Sequence, residues 1–189
     1  MTEQELAIDA VRRLNRAQIA YFLTGSMASN YWGIPRTTHD LDFVVQLPVQ
    51  SIPSLLHEFR DDFYLDEPAV RAALAPPYQF NAIDRRSALK IDFWMLRSNP
   101  FEMSMFERRL SVSLLGERTW IATSEDVILH KLYWDLLTPS QRQISDATGV
   151  IAVQADSLDR AYLQRWAGEL GFSEQLNQLL ARVVKPKCT

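Results

Sequence analysis

The chain has 189 residues, 47% of them hydrophobic and 23% charged, with a formal net charge of −3. That is enough for one compact domain, or a core with an appended lobe, and too apolar for a disordered protein. No apolar run approaches the roughly 18 residues a membrane span requires, and net acidity argues against a broad nucleic-acid footprint. The single cysteine, Cys188, excludes an intramolecular disulfide. The three histidines (His39, His57 and His130) lack zinc-type spacing.

In chain order, Leu6, Ala7, Ala10, Val11 and Leu14 recur at helical spacing and predict an amphipathic first helix over 4–18. Its acidic groups argue against a secretory leader, so a cytoplasmic globular protein without membrane contact is expected. Ala20–Thr24 reads as a strand ending in a turn at Gly25-Ser26, and 27–32 as a short helix stopped near Gly33 and Pro35. A strand is predicted over 39–47, helices over 52–59 and 67–74, and a hairpin over 78–83 and 89–96. A helix at 101–108 and a second hairpin about Gly116 complete this part. Helix signals dominate after residue 122. Thr123 or Ser124 caps one helix, and Thr138-Pro139-Ser140-Gln141 has the spacing of a capping box with proline at the first helical position. Asp156 or Ser157 starts another helix, and Gly171 separates it from a last one carrying Leu176, Leu179 and Val183. The expectation is an α+β core over 1–122 with a C-terminal helical lobe, 123–189, packed on it as one compact unit.

The chemistry-bearing pattern is Gly25-Ser26, thirteen residues, then Asp40-Leu41-Asp42. Residues i and i+2 of a strand share a face, so both carboxylates point one way while Leu41 and Phe43 face the core. Two neighbouring carboxylates repel unless a cation lies between them, and hard oxygen ligands suit magnesium completed by substrate phosphates. Backbone amides and the serine hydroxyl where a strand meets a helix can hold a phosphate that glycine lets approach closely. In Lys90-Ile91-Asp92-Phe93-Trp94, a third acid alternates with apolar residues, unusual for a buried strand unless paired or metal-bound. Should the two strands be neighbours, Asp40, Asp42 and Asp92 would hold two divalent ions, the arrangement of in-line phosphoryl or nucleotidyl displacement. Lys90 shares a face with Asp92 as a counter-charge.

The string Thr-Gly-Ser-x13-Asp-Leu-Asp with the later Lys-Ile-Asp resembles the DNA polymerase β-type nucleotidyltransferase superfamily. The whole chain resembles its small bacterial nucleotidyltransferase-like proteins allied to type IV toxin–antitoxin toxins. Gly33-Ile34-Pro35-Arg36-Thr37-Thr38-His39-Asp40 fits the family's run into the aspartate pair, and Ser124-Glu125-Asp126 through Lys131-Leu132-Tyr133-Trp134, Ser140-Gln141-Arg142-Gln143 and Asp146 fit its C-terminal helical signature. Ser26 stands where many members have glycine. The resemblance implies a mixed β-sheet flanked by helices, magnesium (two ions, with manganese as substitute), and transfer of a nucleoside monophosphate from a nucleoside triphosphate to a hydroxyl. Asp40, Asp42 and Asp92 would be catalytic and metal-binding; Gly25, Ser26, Arg36, Lys131 and Asp146 would bind nucleotide. The acceptor is left open among a small molecule, a protein and tRNA. A silent nucleotide-binding or toxin-like module with an antitoxin-like partner is the alternative, and a metal-dependent phosphohydrolase a third.

Plainer readings compete at each position. Asp-x-Asp alone is common on surfaces. Lys131 could pair with Asp135 at i, i+4, and Asp146 with Arg142. His39 reads as an edge or packed residue, and Trp94, Trp120, Trp134 and Trp166 as packing. No Gly-x-Ser-x-Gly elbow supports a serine hydrolase, and no Walker or Gly-x-Gly-x-x-Gly loop is present.

Overall fold

A computed structural model describes residues 2–183. Cys188 and the side chain of Val183 lie outside the described residues. The chain divides into two compact units. One runs up to Met27 and resumes over Thr37–Ala122; the other joins Ala28–Arg36 to the residues from Thr123 onwards.

The first unit opens with helix α1 (Glu3–Arg16), started by a reciprocal cap in which the Thr2 hydroxyl accepts from the Glu5 amide and the Glu5 carboxylate accepts from the Thr2 amide. Its strands are β1 (Ala20–Thr24), β2 (Leu41–Gln46), β3 (Phe63–Tyr64), β4 (Gln79–Asp84), β5 (Lys90–Met95), β6 (Leu110–Leu114) and β7 (Glu117–Ile121). They form a seven-stranded sheet in the order β3-β4-β5-β2-β1-β7-β6. The pairs β2–β5 and β1–β7 are parallel and the others antiparallel, so the sheet is mixed. Helices α3 (Ile52–Phe59), α4 (Glu67–Ala72) and α5 (Pro100–Arg108) each carry proline in the first turn, where its missing N–H costs nothing. The strands alternate as a half-buried sheet requires. Phe43 of β2, Phe93 of β5, Phe80 of β4 and Phe59 of α3 meet with ring centroids 5.0–5.9 Å apart, and each is at most 3% exposed.

Helix α2 (Gly25–Trp32) follows β1 directly, beginning at Gly25 rather than after the turn expected at Gly25-Ser26. The second unit is helical: α6 (Ser124–Leu137), α7 (Gln141–Gln154), α8 (Arg160–Leu170) and α9 (Ser173–Val183). Two helix starts differ from the sequence expectation. Thr138 ends α6, its amide donating to the Trp134 carbonyl, and Ser140 rather than Thr138 precedes α7 because the Asp135 carboxylate accepts the Ser140 amide at 2.7 Å. Asp159, not Asp156 or Ser157, caps α8 by accepting from the Tyr162 amide. Gly171 takes the left-handed conformation (φ +87°) that ends α8. Strand β3 was not expected; two residues carry no periodicity to read.

Candidate active site

The register of the sheet assembles the acidic residues. Asp42 of β2 stands opposite Asp92 of the parallel strand β5, and opposite Thr24 of the antiparallel strand β1. Residues opposite each other share a face, so Thr24, Asp42 and Asp92 form a row across three adjacent strands. Leu41, Phe43, Ile91 and Phe93 are buried on the other side. Asp40 immediately precedes β2 and is exposed, Asp42 is half-buried, and Asp92 is 8% exposed.

Gly25 closes one end of this row. Its φ of +62° is a left-handed conformation, and a Cβ there would lie 2.1 Å from Asp42 Oδ2. Any side chain would therefore displace the carboxylate as well as strain the backbone. Ser26, 7% exposed, is the second residue of α2. Gly25 and Ser26 thus lie in the first turn of a helix, the end at which helices favour anions.

Two neighbours on β5 act on the acids. The Trp94 indole N–H donates to Asp42 Oδ1 at 3.2 Å, so Trp94 does more than the packing expected of it. The missed signal is alternation: residues 90, 92 and 94 share one face of β5. Lys90 Nζ lies 2.8 Å from Asp92 Oδ2. Its ammonium is held above the ordinary lysine value chiefly by that bond, against some burial, and the charges of Asp92, Asp40 and Asp42 add to the effect. The counter-charge role expected of Lys90 is what the geometry shows.

Among the described residues, no group of three histidine, cysteine, aspartate or glutamate side chains is gathered as a ready-made metal site. The chemistry of the face nonetheless fits a hard cation. Asp92 Oδ1 is buried with no hydrogen-bond partner, a costly state for a carboxylate oxygen, and the carboxylate beside it in register belongs to Asp42. Aspartate oxygens are the ligands magnesium prefers.

In the second unit, Asp146 of α7 is the centre of a separate cluster. Arg36 grips it with two bonds, Nε to Oδ1 at 2.7 Å and Nη2 to Oδ2 at 2.8 Å. Lys131 of α6 adds Nζ to Oδ2 at 2.8 Å. Burial would raise the Asp146 carboxyl, but Arg36 and Lys131 outweigh it and hold the group below the ordinary aspartate value. Asn30 fixes the arginine's backbone, donating to the Arg36 carbonyl at 2.7 Å and accepting from its amide at 3.0 Å. A Cβ on Gly33 would lie 2.8 Å from the Val150 amide nitrogen, so glycine lets this segment lie directly on α7. Lys131 thus pairs with Asp146 and not Asp135, which accepts from Ser140 and Gln175 instead. Asp146 takes Arg36 and Lys131 as partners in place of Arg142. Asp126 of the Ser-Glu-Asp triplet is fully buried and accepts from the Thr123 hydroxyl and the Tyr162 hydroxyl, both at 2.7 Å.

No described helix is long and apolar enough to cross a membrane. No family model matches the chain, and no curated protein is similar to it in sequence. Solved structures share its fold. An antigenic nucleotidyltransferase-like protein from Paracoccidioides brasiliensis aligns over 97% of this chain and 94% of its own, with a TM-score of 0.57 and 15% identity. The antibiotic-resistance factor ANT(2″)-Ia in solution aligns over 95% of each chain, with a TM-score of 0.62 and 12% identity. The same protein in complex with adenylyl-2″-tobramycin gives 0.57 and 11% over 90% of this chain and 98% of its own. The lincosamide antibiotic adenylyltransferase LnuA, lincomycin-bound, aligns over 81% of this chain and 98% of its own, with 0.51 and 11%. The mixed sheet flanked by helices is therefore a nucleotidyltransferase-like fold.

Proposed function

We propose that the chain is a magnesium-dependent nucleotidyltransferase that moves a nucleoside monophosphate from a nucleoside triphosphate to an acceptor hydroxyl. The observation that carries this reading is Asp42, set opposite Asp92 on one side and against Gly25 at the β1–α2 junction on the other. It brings a pair of acids beside a helix start suited to phosphate, on a fold shared with adenylyltransferases.

Asp40, Asp42 and Asp92 would hold the metal, two ions on the family's pattern, with manganese as a substitute. When bound, such an ion neutralises phosphate charge and lowers the pKa of the attacking hydroxyl. The Gly25 and Ser26 amides, with the serine hydroxyl, bind the triphosphate, and Trp94 fixes the orientation of Asp42. The acceptor oxygen bonds to the α-phosphorus as the bond from that phosphorus to the oxygen bridging to the β-phosphate breaks, so pyrophosphate departs. Asp92 takes the proton of the hydroxyl. Arg36 and Lys131 are assigned to phosphate binding, with Asp146 holding both cations in position.

For the acceptor we favour a small hydroxyl-bearing molecule. ANT(2″)-Ia carries an adenylylated tobramycin and LnuA lincomycin, and a net charge of −3 suits a cationic small molecule better than tRNA. The antitoxin-like partner and the silent toxin-like alternative draw no support from those ligands. The test incubates the protein with each labelled nucleoside triphosphate, magnesium and a panel of polyhydroxylated amines, following pyrophosphate. Asp42→Asn is expected to lower the rate by about 10²–10³. A variant as fast as the parent would refute the reading.

A further inference from the structure

The row of acids already holds a cation of the protein's own, and its placement suggests a second role. Lys90 sits two residues before Asp92 on β5, and its Nζ bonds Asp92 Oδ2 at 2.8 Å while Oδ1 of the same carboxylate has no hydrogen-bond partner. The lysine side chain is 46% exposed and that of Asp92 only 11%. The carboxylate is thus fixed in the sheet, whereas the ammonium stands on a long stem with solvent to move into. Lys90 also lies in the field of Asp40 and Asp42.

We propose that Lys90 is a resident counter-ion: it pairs with Asp92 when no divalent ion is bound and yields that carboxylate when one binds. This rests on the reading of the acidic face as a metal-binding site. An ammonium is a compact point charge with rotatable donors, suited to pairing with a carboxylate and then leaving it, unlike the fork of an arginine. The neighbouring carboxylates of Asp42 and Asp92 without any cation repel one another, so Lys90 lets the face fold in the absence of metal. The same pairing weakens metal binding, because an ion that takes Asp92 must do so beside an ammonium already on the same carboxylate. A purely structural ion pair would stabilise the fold and leave metal affinity alone.

The test is manganese binding to the whole protein, followed by the loss of the free-ion paramagnetic resonance signal and by the metal-induced rise in thermal midpoint. Lys90→Met is expected to lower the midpoint without metal and to bind manganese about tenfold tighter, the order of effect of deleting one partly screened charge from the site. Lys90→Arg, which keeps the charge and grips a carboxylate with a fork, should show no gain and bind manganese no tighter than the parent. The gain from Lys90→Met should vanish in an Asp92→Asn background, since the competition runs through that carboxylate. Unchanged or weaker binding by Lys90→Met overturns the proposal, and so does an equal gain in the Asp92→Asn background. Those outcomes leave the nucleotidyltransferase reading standing. Absence of manganese binding in every variant, parent included, overturns the counter-ion role, whereas the nucleotidyltransferase reading stands or falls on pyrophosphate release.

Discussion

Gly25 and Trp94 show how closely single side chains are tied to Asp42. Gly25→Ala must accommodate both a φ of +62° and a Cβ 2.1 Å from Asp42 Oδ2. The strained backbone alone costs about 1–3 kcal/mol, so a lower urea midpoint is expected, together with lost transfer activity as the carboxylate is pushed aside. Trp94→Phe keeps an aromatic ring in the sheet but removes the 3.2 Å donor to Asp42. A hydrogen bond to a charged group is worth about 1.5–3 kcal/mol of stability, and the half-buried setting places the loss near the lower end, so the thermal midpoint should fall modestly and kcat/KM should fall as Asp42 loses its orientation. Unchanged kcat/KM would return Trp94 to packing. Alternation made the shared faces of Asp42 and of Lys90 with Asp92 legible in sequence, whereas Asp40, read the same way, lies just before β2. Alternation applies equally to Trp94, but a tryptophan among apolar strand neighbours gives the signal of a core residue, and only the register shows which carboxylate its N–H reaches.

At the level of elements, α6 and α8 are joined by a buried carboxylate rather than by apolar contact alone. Asp126 is 0% exposed and accepts both from Thr123, the cap of its own helix, and from the Tyr162 hydroxyl of α8. Asp126→Ala leaves two hydroxyls without their acceptor and opens a space, and a loss of about 3 kcal/mol is expected from urea unfolding. Tyr162→Phe, which removes one bond, should lose about 1 kcal/mol. A small effect of Asp126→Ala would mean that water replaces the carboxylate. Helix periodicity located α6, α8 and α9, and Gly171 ended α8 as expected. The starts of α7 and α8 were harder to read, because Thr138, Ser140, Asp156, Ser157 and Asp159 are all competent caps. The choice between Thr138 and Ser140 was settled by Asp135, five residues earlier, taking the Ser140 amide.

For the molecule as a whole, part of the response to acid follows from Asp146. Its carboxyl is held below the ordinary aspartate value by Arg36 and Lys131 against the effect of burial. A depressed acid binds protons more weakly folded than unfolded. Its stabilising contribution is therefore complete above the ordinary value of 3.8 and is lost as pH falls through the lower folded value. Asp146→Asn leaves Lys131, with 9% of its side chain exposed, beside a neutral amide, and breaking such a buried pair costs about 3–5 kcal/mol. The gap in unfolding free energy between parent and variant should be full at pH 7 and narrow below pH ~4; a gap constant with pH would contradict the assignment. Alternating and helical periods revealed the α+β class and the two hairpins. The order of the sheet was not readable, since β2 and β5 pair in parallel with α3, β3, α4 and β4 between them in the chain, and no local signal encodes that choice.

Because Thr24 faces Asp42 across an antiparallel ladder, the distance between glycine and acids is set by strand pairing, not by counting along the chain. The thirteen residues between Ser26 and Asp40 include a loop over 37–39, and loops absorb insertions. Divergent kin can thus lengthen or shorten this interval and keep the same acidic face, and a pattern search with a rigid gap would overlook them. A one-residue slip of Leu41–Gln46 in the sheet would instead turn Asp42 toward the phenylalanine cluster. Evolution is free to vary the first and barred from the second.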